Sequence, residues 1–184
     1  DAKVDGWDGR KKLVAVAGGG TSARLEKIPL SVDPQTGMAH GELNWKKGKY
    51  TAWTPEHPVL IPFTIYAVDG DVLTALYTTK TAVRTVSVSR EKGFQLNGVT
   101  RKIKGVCLHH DLGPLGVAEN RTALIRRIRR MKDMGADAIR TSHNMPSELL
   151  MQLCDSLGMM VMAESFDMWI YPKCRNGYAR FFKE

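Results

Sequence analysis

The sequence predicts an α+β chain in two parts: an antiparallel β-sandwich over residues 1–90, then a strand–helix–strand–helix–strand succession over residues 91–184. Three observations carry this. Up to about residue 90 the apolar runs are β-branched and often alternate with polar residues, as half-buried strands do. Beyond it, longer runs with helical spacing are interleaved with short apolar ones. The length of 184 residues allows one medium domain or two small ones with a sizeable core.

In the first part, strands are expected at Leu13 to Ala17, Val59 to Val68, Asp71 to Thr79 and Ala82 to Ser89. Asp69-Gly70 fits a tight hairpin between two of them, while Gly18-Gly19-Gly20 and Asp33-Pro34 mark loops. In the second part, Asn97-Gly98 signals a type I′ hairpin and is followed by a strand at about Ile103 to Leu108. A helix is expected from Glu119 to Met134, a strand from Asp137 to Thr141, a helix from Pro146 to Ser156 and a strand from Met159 to Ala163. Gly135 and Gly158 sit where helix C-caps belong. Strands joined by helices through short loops should be parallel.

With 43% hydrophobic and 25% charged residues, the composition excludes a disordered, collagenous or coiled-coil chain. No apolar run approaches the roughly 18 to 20 residues that span a bilayer. The polar start DAKVDGWDGRKK has no signal-peptide core, and the compartment stays open between cytoplasm and periplasm. The three cysteines, Cys107, Cys154 and Cys174, form no CxxC pair, so no zinc site or disulfide framework is expected. The formal charge of +8 is densest at Arg126, Arg127, Arg129, Arg130 and Lys132. There Leu124, Ile128, Met131 and Met134 recur with helical spacing, which reads as an amphipathic helix with a solvated basic face rather than a nucleic-acid surface.

Parallel strands joined by helices bring the residues just past each strand's C-terminal end onto one face, where such folds place their sites. His109, His110 and Asp111 follow the first strand; Arg140, Thr141, Ser142, His143 and Asn144 end the second; Glu164, Ser165, Phe166, Asp167 and Trp169 end the third. Imidazoles, carboxylates and a guanidinium thus converge into a polar pocket. His109 and His110 should point to opposite sides, so one of them at most faces it. Arg140 has a structural alternative, as an ion-pair partner of Glu164, and Phe166 and Trp169 could pack a core.

The stretch KGVCLHHDLGPLG, with IRRIRRMKDMGADAIRTSHNMPSELLMQLCDSLGMMVMAESFDMW after it, resembles the start of the barrel domain in glycoside hydrolase family 2, the family of β-galactosidases, β-glucuronidases and β-mannosidases. Upstream, WTPEHPVL and AVRTV resemble the immunoglobulin-like sandwich domain that precedes that barrel. The resemblance implies an immunoglobulin-like β-sandwich followed by the first βαβαβ units of an incomplete (β/α)8 TIM barrel. It implies that Arg140 and His143 line the sugar subsite, that His109 is a pocket histidine and that Asp167 lies near the substrate. Trp169 would offer an aromatic platform to a sugar ring, with Asn144 and Glu164 completing the substrate-binding set. ESFDMW looks closer to the galactosidase variety.

Departures from the family pattern shape the rest. The family's acid/base is the Glu of an Asn-Glu pair on the fourth barrel strand, and this chain contains no Asn-Glu dipeptide. Members that bind magnesium use Glu-x-His where this chain reads Asp167 and Trp169, so no metal and no cofactor are expected. Met145 stands where related sequences have a second Pro. A full barrel takes about 250 residues and only about 90 follow Lys92, so the expectation is a piece of a retaining β-glycosidase without its catalytic pair. Carbohydrate is the expected partner, with neither nucleic acid nor membrane; a homo-oligomer is compatible. The alternative is a non-catalytic carbohydrate-binding or interaction module using the same face.

Overall fold

Leu13, Ala15 and Ala17 alternate along one strand and all are buried, the period-two signature of a sheet with one covered face. In the computed structural model, which describes residues 2–3, 11–19, 22–42 and 50–165, this strand is part of a six-stranded antiparallel sheet. Its strands are β1 (Ala2–Lys3), β2 (Lys12–Gly19), β3 (Ser22–Val32), β4 (Met38–His40), β5 (Ile61–Asp69) and β6 (Val72–Thr81), in the order β1-β4-β3-β2-β5-β6. Ala15 stands opposite Ile28 on one side and Ile65 on the other, and these residues pack with Ala17 into one buried cluster. β3 pairs with β2 over most of its length and with β4 through Ser31 and Val32, so the sheet passes from one set of partners to another along a single strand.

The turn chemistry largely follows the sequence. Asp33 opens the β3–β4 turn, its carboxylate accepting from the Gln35 N–H and the Thr36 hydroxyl at 2.8 Å each. Asp69 pairs with Val72 across the β5–β6 hairpin, with Gly70 at φ +56°. The expected glycine loop is different: Gly18 and Gly19 are the last residues of β2, where the register against β3 shifts and Gly18 takes φ +114°. Gly18 and Gly19 accommodate that irregularity at the end of the strand, and Gly20 lies outside the described residues. The strand expected at Ala82 to Ser89 is reduced to Val86–Ser89.

Among the described residues, the chain divides into two compact units. The first holds the residues up to Trp53 together with Val59–Arg84; the second holds Thr54–Pro58 and the residues from Thr85 onward. The second unit opens with the antiparallel strands β7 (Val86–Ser89), β8 (Gly93–Leu96) and β9 (Val99–Thr100). Asn97 and Gly98 join the last two with φ +53° and +78°, both left-handed as a type I′ turn requires.

Three parallel strands follow, β10 (Gly105–His109), β11 (Ala138–Ser142) and β12 (Met160–Met162), adjacent in chain order. They are connected by α1 (Arg121–Asp133) and α2 (Glu148–Leu157). Leu124, Ile128 and Met131 form the buried stripe of α1, which packs with Ile139, Leu150, Leu153, Cys154 and Met159. Met134, expected in that stripe, is the C-cap residue instead and is exposed. Burial pushes the Cys154 thiol up to about 12. No described helix is long and apolar enough to cross a membrane.

Two cations tie the Thr54–Pro58 segment to the rest of this unit. Arg101 bridges Glu56 and the buried Asp137 at 2.8 Å each, and holds the Glu56 carboxyl down at about 2. Lys132 donates to the carbonyls of Pro55, Leu157 and Gly158, closing the C-terminus of α2.

Candidate functional site

Strand parity selects the side chains that can share a pocket. Val106, Leu108, Ile139 and Val161 pack into the core beneath the helices. The alternate positions Cys107, His109, Arg140 and Met162 therefore present to the opposite face of the three-stranded sheet. In register, Cys107 pairs with Arg140, and Arg140 with Met162.

At the C-terminal end of this face, three of the sequence-predicted residues form one network. Arg140 donates from Nε to Glu164 Oε1, and His143 Nδ1 lies 2.8 Å from Glu164 Oε2. His109 joins through its ring, edge-on to His143 with centroids 5.7 Å apart at 88°. The structural alternative raised for Arg140 is thus realised: it and Glu164 are an ion pair, and a histidine is attached to that pair. The loop carrying Glu164 is pinned from below, because the Glu164 N–H donates to the Thr141 hydroxyl at 3.0 Å.

Asn144 stands apart from the network. With His110, Asp111, Arg127 and Leu150 it lines an open cleft of about 470 Å³, solvent-facing space included, between the loops after β10 and β11. His109 and the buried Ser142, whose hydroxyl has no partner among the described residues, also line it, so both His109 and His110 border this cleft where strand alternation predicts one at most. Phe166, Asp167 and Trp169 lie outside the described residues, as does Cys174.

The electrostatics define what Glu164 can do. Its hydrogen bond from Arg140, then that from His143, hold its carboxyl below the usual glutamate range, and the same contact raises the Arg140 guanidinium. A general acid in glycoside cleavage needs a raised pKa, so Glu164 is suited to orienting groups and accepting hydrogen bonds, not to giving up a proton. Among the described residues no cluster of three His, Cys, Asp or Glu side chains could hold a metal ion.

Some contributors to this face were missed in the sequence. Thr141, buried one position from Arg140, is the acceptor that holds the Glu164 loop, a role with no signal in the sequence. Arg127, read as part of a solvated basic face, donates to the Asp111 carbonyl and fixes the loop after β10. Parity alone would have found Cys107, which is exposed beside Arg140.

Residues 86–169 match the model of the glycosyl hydrolases family 2 TIM barrel domain. The chain belongs to glycoside hydrolase family 2. It is 44% identical over 132 residues to the β-galactosidase BoGH2A of Bacteroides ovatus, a match covering 72% of this chain and 16% of that protein. It is 37% identical over 93 residues to the β-glucuronidase of Sus scrofa, covering 50% and 14% respectively. Among solved structures, a family 2 member from Bacteroides cellulosilyticus superposes with a TM-score of 0.78 at 30% identity, covering 95% of this chain and 23% of that one. The family 2 chain described here thus spans 16% and 14% of the lengths of these two curated relatives.

Proposed function

We infer that this chain supplies the sugar-orienting part of a retaining β-glycosidase of the β-galactosidase type. The observation that carries the reading is the Arg140–Glu164–His143 network, with His109 at its edge, at the C-terminal ends of parallel strands in a family 2 barrel segment. Sugar hydroxyls both donate and accept, and a face combining guanidinium, carboxylate and imidazole offers each kind of partner. Asn144, Asp167 and Trp169 extend the same site in this reading. The first unit, with a strand that changes sheet partners, is assigned as the immunoglobulin-like sandwich; the division into units falls after Arg84, near the boundary of the proposed domains 1–90 and 91–184. In the parent enzyme the chemistry is double displacement, for which the 184 residues contribute positioning and electrostatic stabilisation but no Asn-Glu acid/base.

Calorimetric titration of the chain with methyl β-galactoside tests the binding half of the reading. Binding is expected, and Arg140→Ala should abolish it because that change frees Glu164 and His143 together. Absence of binding by the unmutated chain would refute it. The second reading, a non-catalytic carbohydrate-binding module, draws on the missing Asn-Glu pair. It predicts the same binding with no gain of hydrolysis when the chain is joined to the remaining barrel strands of a family 2 relative.

A further inference from the structure

β6 is the last strand of the six-stranded sheet, paired with β5 on one side and with no other strand among the described residues. Val72 through Thr78 are all exposed, Leu73 at 59% and Tyr77 at 54%. Such an edge offers a row of free N–H and C=O groups, which proteins usually guard with charge or proline. Between Val72 and Thr79 there is neither. The charges sit at the two ends, Asp71 and Lys80. Asp69 is answered by Lys11 at 3.9 Å, whereas neither Asp71 nor Lys80 has an ion-pair partner among the described residues. If two copies of this strand pair antiparallel about a twofold axis, Asp71 of one meets Lys80 of the other at both ends. That register sets Val72 against Thr79, Leu73 against Thr78 and Thr74 against Tyr77.

A regular strand is barred from this register. A twofold axis normal to a sheet keeps each face on its own side, so residues set opposite one another must point to the same face, and Val72 and Thr79 are an odd number of positions apart. β6 escapes the restriction through one extra residue: Ala75 stands opposite Tyr66 and Tyr77 opposite Ile65, leaving Leu76 without a partner in β5. The alternation therefore flips at Leu76. Val72 opposes Asp69 and Thr79 opposes Phe63, so these two share a face, as do Leu73 with Thr78 and Thr74 with Tyr77.

We propose that β6 is a self-complementary docking edge whose occupant is the β6 of a second copy of this chain, joining two first units into one continuous sheet. The main-chain ladder flanks the axis, where the extra Leu76 of each copy falls, and the Asp71–Lys80 pairs close both ends. Because each copy presents the same edge to the other, the contact stops at two. The dimer uses the first unit alone and stands whether or not the sugar-site reading does.

Sedimentation velocity over a dilution series tests this on the 184-residue chain and on two variants at exposed positions, Lys80→Asp and Asp71→Lys, each checked for fold by its amide spectrum. The unmutated chain should pass from one copy to two as its concentration rises, and its dimer should weaken as salt is added. That measurement needs neither variant to fold. Each variant alone sets like charges opposite one another at both ends and should dimerise about tenfold more weakly. Mixed in equal amounts, the two variants should associate as the unmutated chain does, because the aspartates of one then meet the lysines of the other; a folding defect is not rescued by mixing. An unmutated chain that stays monomeric at every concentration would overturn the proposal. So would a mixture no better than its components, dimerisation indifferent to both changes, or growth beyond two copies.

Discussion

At the scale of single residues, Glu164 ties Arg140 and His143 together, and its charge state sets when it can do so. Its pKa is lowered in the folded chain, chiefly by Arg140 and then by His143. A carboxylate whose folded pKa lies below its unfolded one stabilises the fold at pH above the unfolded value; that contribution is lost as the pH falls through the folded value. Carbon-detected titration of the Glu164 carboxyl should therefore show a midpoint below that of an ordinary glutamate. Arg140→Met should raise it, since the largest cause of the depression is gone; an unchanged midpoint would mean that the pair does not form in solution. His109, Arg140 and His143 are brought to one end of the sheet by sequence alone, because each lies in or just past the C-terminal end of a predicted strand. The Arg140–Glu164 pair is one of the readings the sequence leaves open; what the sequence withholds is the attachment of His143 to that pair, which depends on the register of β11 against β12 and on Thr141 holding the Glu164 loop.

At the scale of elements, the helices were legible because their caps are chemical. Asn120 caps α1 by accepting from the Ala123 N–H, and Ser147 caps α2 by accepting from Leu150. Both helices therefore start later than their apolar periods suggest, at Arg121 and Glu148. β3 left no comparable trace: Pro29 interrupts its pattern, yet that residue pairs with Val14 inside the sheet, where a proline normally argues against a strand. The two glycines after the helices give a paired prediction. Gly135 has φ +89° with open space around a hypothetical Cβ, so Gly135→Ala should cost only the left-handed penalty of about 1 kcal/mol. Gly158 has φ +73°, and a Cβ there would fall 2.2 Å from the Pro55 carbonyl oxygen and 2.9 Å from Lys132 Nζ. Gly158→Ala must displace backbone as well as adopt the strained conformation, and should cost at least about 2 kcal/mol. Urea denaturation of the two variants should give midpoints that differ in this order; equal losses would mean that the Thr54–Pro58 segment does not lie against α2.

At the scale of the whole molecule, the proposed reading of the barrel segment separates holding a sugar from breaking its bond. Retaining hydrolysis needs two carboxylates about 5 to 5.5 Å apart, one with a raised pKa to protonate the leaving group and one free to attack. Glu164 fits neither role, since it is held ionised and both its oxygens are engaged by Arg140 and His143. Asp111 spends one oxygen on the Gly113 N–H at 2.6 Å, and with Glu119 it lines the cleft beside the network rather than taking part in it. The Asn-Glu pair that gives the family its acid/base does not occur in the 184 residues. Incubation of the purified chain with a chromogenic β-galactoside should therefore release no aglycone above the buffer rate, even at concentrations where calorimetry shows the sugar bound. The decisive comparison is His143→Ala: turnover that survives repurification and disappears in that variant would show that this chain itself does the chemistry and overturn the expectation, whereas turnover that persists in it would mark a contaminating glycosidase.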